Sequence, residues 1–320
     1  MKKYKVFVDG QTGTTGLQIH ERLKKHPFVE LLTIDYDKRK DTEIKKKFLN
    51  EADIVFLCLP DDAARESAKL VSNPTTKIID PSVAHRVADG WTYGMPELSK
   101  EQREKIRESK RVTVPGCHAS AFILAVAPLV KMGLMPSDYP VTAHSITGYS
   151  GGGKSLIEKY ENEEINAPYI KAPRPYGLNL NHKHLPEMKV YTGLDRYPVF
   201  LPVVSNYYKG LAVSVPIHNH LLNKKAGAKD IAELLSEYYK DECFVKVMPY
   251  NPMDLLFDGA FDITACNDTN QCEIFVFGND EKEMSLIFAR LDNLGKGASG
   301  AAVQNMNIVL GLPEETGLES

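Results

Sequence analysis

The sequence has no hydrophobic run close to the ~20 residues that a membrane-spanning helix needs. It has no excess of either charge, because 39 Lys and Arg residues stand against 42 Asp and Glu residues. The net charge of −3 gives no electrostatic attraction to nucleic acid or to an anionic membrane. The first apolar run is too short for a signal peptide. We therefore expect a cytoplasmic protein whose partners include neither a membrane nor a nucleic acid.

Cysteine is also scarce, and its few copies do not have the spacing of a metal site. The five are Cys58, Cys117, Cys243, Cys266 and Cys272. An odd and scattered set gives no disulfide framework, and we expect no bound metal. The chain is long enough for a large core and for about two domains.

Cys117 differs from the other cysteines in its surroundings. A strand-like segment at residues 111–114 leads into a Pro-Gly turn, and an apolar helical run follows at residues 122–127. The turn places the thiol in the first turn of the helix, where unpaired N–H groups and the helix dipole favour a thiolate. A thiolate is a nucleophile at neutral pH, whereas the alternative is a thiol that only packs in the core.

The first residues have the pattern of a dinucleotide-binding turn. A strand at residues 4–9 ends in a turn with Gly10, Gly13 and Gly16, and residues 17–23 have helical spacing. The spacing is G-x-x-G-x-x-G rather than G-x-G-x-x-G, but its place between the first strand and a helix is the required one. Glycine lets the backbone approach a pyrophosphate, and the helix N-terminus binds the anion.

Further strands alternate with helical stretches in the first third of the chain. They lie at residues 29–35, 53–60, 77–80 and 111–114. Alternation of this kind predicts a doubly wound parallel sheet, a Rossmann-like α/β fold with its ligand at the carboxyl ends of the strands.

The residues after the second strand give conflicting signals about the cofactor. Asp35 could accept the ribose hydroxyls of NAD. The cations that follow it could instead hold the 2′-phosphate of NADP; they are Lys38, Arg39 and Lys40. Both cofactors stay open at this point.

The second part of the chain is rich in strands. They are predicted at residues 141–147, 199–204, 211–217, 273–277 and 285–289, with one amphipathic helix at residues 228–239. This pattern predicts an α+β domain with a mainly antiparallel sheet.

Two polar segments of this part could carry chemistry. Residues 148–155, Gly-Tyr-Ser-Gly-Gly-Gly-Lys-Ser, could cradle a phosphate with backbone N–H groups or could be a flexible loop. In residues 179–187, an extended backbone would place His182 and His184 on one side, and Pro186 would begin a helix. A histidine near a reactive cysteine can act as a general acid–base.

The last segment is a glycine-rich loop followed by a helix, at residues 295–310. Its small residues allow close approach to another backbone or to a cofactor. We expect this helix to return to the first domain and to close the cofactor site from the opposite side.

These segments resemble the N-acetyl-gamma-glutamyl-phosphate reductase family, and its short form most closely. The resemblance spans nearly the whole chain. It is carried by the glycine turn at residues 10–16, Tyr-Gly-Met-Pro-Glu-Leu at 93–98, Pro-Gly-Cys-His-Ala-Ser at 115–120, Thr-Gly-Tyr-Ser-Gly-Gly-Gly-Lys at 147–154, His-Lys-His-Leu-Pro-Glu at 182–187 and the segment at 297–307. The related aspartate-semialdehyde dehydrogenases resemble the chain less around Cys117.

The resemblance implies an NADPH-dependent reductive dephosphorylation of N-acetyl-L-glutamyl 5-phosphate to the 5-semialdehyde, in arginine biosynthesis. Cys117 would displace phosphate and hold a thioester, which then takes a hydride from NADPH. His184, or less favourably His182, would be the acid–base at the thiohemiacetal oxygen.

The resemblance also implies binding residues and a domain organisation. The NADP would contact Gly10, Thr12, Gly13, Thr14, Thr15, Gly16, Arg39 and Asn305, and the phosphate of the acyl phosphate would contact Arg86, Ser150 and Lys154. Residues 1–116, completed by the C-terminal helix at 297–320, would form the NADP-binding Rossmann domain. Residues 117–296 would form the catalytic, substrate and oligomerisation domain of a homo-oligomer, a dimer or a tetramer.

Two alternative functions stay open. One is a reductase similar to aspartate-semialdehyde dehydrogenase that acts on another acyl phosphate. The other is a non-catalytic dinucleotide-binding sensor in which Cys117 is structural.

Overall fold

The computed structural model describes residues 2–11, 13–39, 41–162, 164 and 168–320. The chain divides into two compact units. The first unit comprises Met1–Pro115 and Ala298–Glu319, and the second comprises Gly116–Gly297 and Ser320. Within the described ranges, no helix is long and apolar enough to cross a membrane.

Strands and helices alternate at the start of the chain, and strands dominate its second half. The strands are β1 (Tyr4–Asp9), β2 (Val29–Leu32), β3 (Ile54–Leu57), β4 (Lys77–Asp80), β5 (Thr92–Tyr93), β6 (Arg111–Thr113), β7 (Thr142–Gly148), β8 (Arg174–Pro175), β9 (Val199–Ser205), β10 (Leu211–His218), β11 (Val245–Val247), β12 (Cys272–Asn279) and β13 (Met284–Leu291). The helices are α1 (Thr14–Lys25), α2 (Thr42–Glu51), α3 (Asp61–Leu70), α4 (Lys100–Glu108), α5 (Cys117–Lys131), α6 (Lys154–Glu161), α7 (Leu185–Thr192), α8 (Ala228–Tyr239) and α9 (Gly300–Leu310).

The first unit is built on a sheet in the order β2-β1-β3-β4-β6-β5, and all its pairings are parallel. Helices α1, α4 and α9 pack on one face against side chains such as Val6 and Val8 of β1. Helices α2 and α3 pack on the other face, against Phe7 of β1 and Val55 of β3. Alternate residues of β1 therefore serve opposite faces. The predicted doubly wound sheet is confirmed.

Helix α9 belongs to the core of the first unit although it is the last helix of the chain. All its residues from Gly300 to Val309 are buried, and Met306 and Ile308 pack in the same cluster as Val6. Polar side chains fix it as well, since Asn307 Oδ1 lies 3.0 Å from His26 Nε2.

The second unit contains a mixed sheet in the order β11-β12-β13-β10-β7-β9-β8. Its neighbours are antiparallel except for the parallel pairs β11–β12 and β7–β9. Helix α5 packs against β10 and β13, and α8 packs against β12. The predicted α+β domain with a mainly antiparallel sheet is confirmed.

One local prediction is wrong, and one backbone conformation considered for the sequence is not the one adopted. The second strand ends at Leu32 rather than at Asp35, because its register with β1 ends at the pair Phe7 and Leu32 and an edge strand has no second neighbour to extend it. The residues around His184 are not extended, because Leu185 donates its N–H to the carbonyl of His182 at 3.0 Å and closes a turn that leads into α7.

Candidate active site

A pocket of about 780 Å³ lies in the first unit, at the carboxyl ends of β1 and β3. Asp9, Gly10 and Gln11 line it from the end of β1, and Leu59 lines it beyond β3. The chain leaves β1 towards β2 on one side and leaves β3 towards β4 on the other. Such a reversal of strand order is where parallel sheets bind their ligands, and the volume suits a small-molecule or cofactor site.

The packing around the turn requires glycine at two of its three glycine positions but not at the third. A Cβ at Gly10 would lie 2.1 Å from the carbonyl oxygen of Cys58, and a Cβ at Gly16 would lie 2.2 Å from that of Gly10. At Gly13 the nearest atom would be 3.7 Å away, an ordinary contact. The packing of the chain therefore requires glycine at positions 10 and 16, whereas it leaves position 13 open to a ligand.

The start of α1 is suited to an anion. Gly13 is its N-cap, Thr14 and Thr15 are its first residues, and no acidic residue lies in its first turn. The side-chain nitrogen of Gln11 is buried and has no hydrogen-bond partner among the described residues. A dinucleotide phosphate would satisfy both the helix N-terminus and this donor. Thr12, also predicted to bind the cofactor, lies outside the described residues.

Of the cations that the sequence indicates for the cofactor, Arg39 lines the pocket and Lys38 does not. Asp35 is exposed and forms a 2.9 Å ion pair with Lys38. Neither residue lines the pocket, whereas Arg39 lines it together with Lys45 and Lys69. Lys40 lies outside the described residues.

Sequence reasoning missed a partly buried ion pair on the wall of this pocket. Asp9 is 8% exposed and lies 2.8 Å from Lys45 Nζ, while Ser67 Oγ donates to it at 2.8 Å. An aspartate at a strand end gives no sequence signal of a lysine partner 36 residues further on, because α2 must pack before the two meet.

Two residues that were predicted to contact the cofactor or the phosphate, Asn305 and Arg86, lie in the first unit and donate hydrogen bonds to its backbone carbonyls. Asn305 is fully buried, and its amide nitrogen donates to the carbonyls of Gly94 and Ala301. Arg86 is buried and donates to the carbonyls of Pro81 and Val114, beyond the ends of β4 and β6. Direct contacts of these residues with cofactor or phosphate stay predictions.

In the second unit, Cys117 is the first residue of α5, as the sequence predicts. Gly116 is the N-cap, and its N–H donates to the carboxylate of Glu187 at 3.1 Å. A Cβ at Gly297 would lie 2.7 Å from the Cβ of Cys117, so the glycine-rich segment passes close to the thiol. The thiol therefore lies at the positive end of a long helix.

The rings of three histidines cluster near the start of α5. One of them, His118, follows Cys117 directly in the sequence. The ring of His118 lies 5.4 Å from that of His182 and 5.5 Å from that of His184, and the latter two rings are 4.8 Å apart. The turn before α7 thus brings His182 and His184 together, although their backbone is not extended. The N–H of His184 donates to Nδ1 of His182, which leaves Nε2 as the protonated nitrogen of a neutral His182.

His118 forms a hydrogen-bonded chain that sequence reasoning missed. Its Nδ1 lies 2.7 Å from Ser145 Oγ, and its Nε2 lies 2.9 Å from the hydroxyl of Tyr176. Burial, with the charges of His182 and Lys183, lowers the pKa of His118 to about 3. Burial, with the charge of Cys117, raises the pKa of the Tyr176 hydroxyl. Both groups are therefore neutral near pH 7.

The glycine-rich loop follows β7 and precedes α6, as predicted. The N–H groups of Tyr149 and Ser150 donate to the carbonyls of Tyr207 and Tyr208, and the hydroxyl of Ser150 accepts from Asn293 at 2.9 Å. These N–H groups are engaged within the protein. Lys154, at the start of α6, is exposed.

Comparison with known proteins defines the class. Family models of the semialdehyde dehydrogenase NAD binding domain and dimerisation domain match residues 5–107 and 117–293. Aspartate semialdehyde dehydrogenase II from Vibrio cholerae aligns with TM-score 0.71 and 14% identity, over 97% of this chain and 99% of that one. The enzyme from Francisella tularensis aligns with TM-score 0.72 and 16% identity, over 96% and 100%. Fold and family models together define a nicotinamide-dinucleotide oxidoreductase of the semialdehyde dehydrogenase class.

More similar relatives narrow the class to a family. The chain is 48% identical to N-acetyl-gamma-glutamyl-phosphate reductase 2 of Nostoc sp., over 99% of this chain and 100% of that protein. It is 46% identical to the N-acetyl-gamma-glutamyl-phosphate reductase of Chelativorans sp., over 96% and 98%. The chain belongs to the N-acetyl-gamma-glutamyl-phosphate reductase family, which confirms the resemblance.

Proposed function

We propose that this chain reduces N-acetyl-L-glutamyl 5-phosphate to N-acetyl-L-glutamate 5-semialdehyde with NADPH, releasing phosphate, as a step of arginine biosynthesis. The observation that carries the proposal is the position of Cys117, the first residue of α5, beside a cluster of histidines. A sensor that only bound a dinucleotide would have no use for a thiol at a helix N-terminus among proton donors.

In the first half of the reaction, the thiolate of Cys117 attacks the carbonyl carbon of the acyl phosphate. A C–S bond forms, the bond from carbon to the phosphate oxygen breaks, and phosphate leaves with that electron pair. The N-terminus of α5 stabilises the thiolate before attack. Lys154, Arg86 and Ser150 remain the proposed phosphate contacts, with exposed Lys154 the most accessible of the three.

In the second half, the chain must hold a proton for the thiohemiacetal oxygen and take it back when the C–S bond breaks. NADPH, when bound, supplies the hydride that reduces the thioester carbonyl. The acid–base is one of the two histidines before α7, which the structure holds 4.8 Å apart, and we propose His184 with His182 as the alternative. Collapse of the thiohemiacetal releases the aldehyde and restores the thiolate.

The pocket of the first unit supports NADP as the cofactor. Its contacts would be the turn at Gly10, Gly13 and Gly16 and the first residues of α1, Thr14 and Thr15. Arg39, Lys45 and Lys69 line the pocket together with the acids Asp9 and Glu66, and Lys45 is paired with Asp9, so the lining carries a small excess of positive charge; Asp35 does not line it. A 2′-phosphate would gain from these cations, and an unphosphorylated ribose would not.

The proposal is tested in the oxidative direction, with NADP, phosphate and N-acetyl-glutamate semialdehyde, by following nicotinamide absorbance. We expect turnover with this aldehyde and at least about tenfold lower kcat/KM with aspartate semialdehyde or with NAD. Cys117→Ser should lower kcat at least about a thousandfold, and Cys243→Ser, an exposed cysteine, is the matched control. Full activity of Cys117→Ser would rule out the covalent mechanism.

The two histidines are distinguished by their pH–rate profiles. Replacing the acid–base with Asn should remove one limb of the profile of kcat/KM and lower kcat about 10² to 10⁴-fold. The same change at the other histidine should leave both limbs in place. We expect the first result for His184→Asn, and its occurrence in His182→Asn alone would reverse the assignment.

A further inference from the structure

The amide of Asn293 joins the residue before β10 to the glycine-rich loop at residues 148–155, and the proposed mechanism does not use it. Asn293 is 2% exposed. Its Oδ1 accepts the N–H of Gly210 at 2.8 Å, and its Nδ2 lies 2.9 Å from Ser150 Oγ. A backbone N–H can only donate, so the atom that faces Gly210 is the amide oxygen and the atom that faces Ser150 is the amide nitrogen.

This geometry decides the direction of the hydrogen bond at Ser150. An amide nitrogen can only donate, so the hydroxyl oxygen of Ser150 accepts and its own O–H must donate elsewhere. Ser150 is 1% exposed, and none of the described residues accepts from its hydroxyl. A buried donor without an acceptor is costly, and an oxygen of a bound ligand would satisfy it. The hydroxyl is therefore presented to a ligand as a donor.

The surroundings of Ser150 favour an anionic ligand. The loop leads into α6, which begins with Lys154 and has no acidic residue in its first turn. The N-cap Gly153 has space beside it, since a Cβ there would meet no described atom within 4 Å. The N–H groups of Tyr149 and Ser150 are engaged with backbone carbonyls. The loop therefore offers an anion a hydroxyl donor, a cation and a helix N-terminus.

The turn that carries Asn293 also contacts the proposed nucleophile. The carbonyl of Asp292 accepts the N–H of Gly297 at 2.9 Å, which closes the turn. A Cβ at Gly297 would lie 2.7 Å from the Cβ of Cys117. One turn of the second unit therefore contacts Cys117 at its end and holds Ser150 through a side chain near its start.

We propose that Asn293 is a positioning residue for the reduction of the acyl phosphate. By donating to Ser150 Oγ, it directs the O–H of Ser150 to an oxygen of the phosphate group of the substrate. Ser150 is then the group that touches the substrate, and Asn293 acts through it. The inference rests on the proposed function in taking an acyl phosphate as the substrate and Ser150 as one of its contacts.

The test reverses this hydrogen bond and keeps the shape of the side chain. In Asn293→Asp the introduced carboxylate still accepts from Gly210, but it also accepts from the Ser150 hydroxyl and withdraws it from the phosphate. In the oxidative assay we expect the KM for inorganic phosphate to rise about tenfold or more, while the KM for NADP changes less than about twofold. Ser150→Ala should raise the KM for phosphate by a similar factor, since it removes the same donor.

The matched control is Asn219→Asp. Asn219 and Ser285 form another buried pair, where β10 ends, but there Ser285 donates to Oδ1 of Asn219 at 2.7 Å. A carboxylate keeps a hydrogen bond of this direction. Both KM values should therefore stay at their wild-type values in the control.

A double variant separates the hydrogen bond from the added negative charge. If Asn293 acts through Ser150, adding Asn293→Asp to Ser150→Ala should raise the KM for phosphate by a clearly smaller factor than in the wild type. Equal factors in the two backgrounds would overturn the inference, as would an unchanged KM for phosphate in Asn293→Asp. If the carboxylate prevents folding, Asn293→Ala in the same two backgrounds gives the same comparison. A wild type without turnover of N-acetyl-glutamate semialdehyde would instead contradict the proposed function.

Discussion

At the scale of single residues, His118 and Tyr176 are two uncharged groups close to the start of α5, where the proposed nucleophile Cys117 lies. His118 is 3% exposed and packed among aromatic rings, where a positive charge on its imidazole would be costly. Its two hydrogen bonds to hydroxyl groups need no charge. His118, the residue after the proposed nucleophile, is therefore suited to hold its neighbours through its shape and its single N–H, and not to exchange protons near pH 7.

This neutrality gives a pH dependence of stability. The pKa of His118 is about 3 in the folded protein against 6.5 ordinarily, so the unfolded chain binds the proton first as pH falls. The stabilisation is fully present above about pH 6.5 and is lost towards pH 3, at up to about 1.4 kcal/mol per pH unit. We expect the thermal midpoint of the wild type to fall more steeply than that of His118→Asn between pH 7.5 and pH 5. Parallel curves would contradict this.

Residues of the site could be predicted where their signal is local. The Pro-Gly turn and the apolar run after it are enough to place Cys117 at the start of a helix. Tyr176 has no such signal, because its partner His118 is 58 positions away and the two meet only when β8 joins the edge of the second sheet. The placement of Asp35 failed for a related reason, since the length of an edge strand depends on its neighbour.

At the scale of elements, the turn between β1 and α1 separates glycines needed for folding from one left for a ligand. Gly10 has a φ of +92°, which disfavours any side chain, and Gly16 faces the carbonyl of Gly10. Gly13 has an extended backbone with φ of −77°, which alanine adopts without strain. The glycine pattern in the sequence shows all three alike, and only the packing tells them apart.

Alanine substitutions at these glycines should therefore change different quantities: the stability of the protein at positions 10 and 16, and the KM for the cofactor at position 13. Gly10→Ala and Gly16→Ala should each destabilise the protein by more than about 1 kcal/mol, because backbone atoms must move. Gly13→Ala should leave the thermal midpoint almost unchanged and raise the KM for NADPH by about tenfold or more. If Gly13→Ala destabilised the protein as much as the other two, position 13 would be a packing position and not a ligand position.

At the scale of the whole molecule, the second unit has apolar side chains that its own fold leaves exposed. Phe257 is 82% exposed, and Tyr197 and Val199 are more than half exposed. The family model that matches this part of the chain is a dimerisation domain. Exposed apolar side chains on such a domain are typical of an interface between copies.

We expect the protein to be a homo-oligomer, a dimer or a tetramer, through this second unit. Sedimentation equilibrium at micromolar concentration should give at least twice the 35.7 kDa of one chain. Phe257→Ser should weaken association without changing the far-ultraviolet circular dichroism. A monomer in the wild type at these concentrations would contradict the expectation.

The position of α9 also sets the order in which the protein can fold during synthesis. The apolar face formed by α1, α4 and the sheet is made early, but α9, the helix that covers it, is synthesised only after residues 116–297 of the second unit. The second unit is continuous in sequence from Gly116 to Gly297, so it can close first. Until then the nascent first unit exposes an unfilled core, which is a surface that holding chaperones bind. Translation thus completes the two units in the reverse of the order in which they begin.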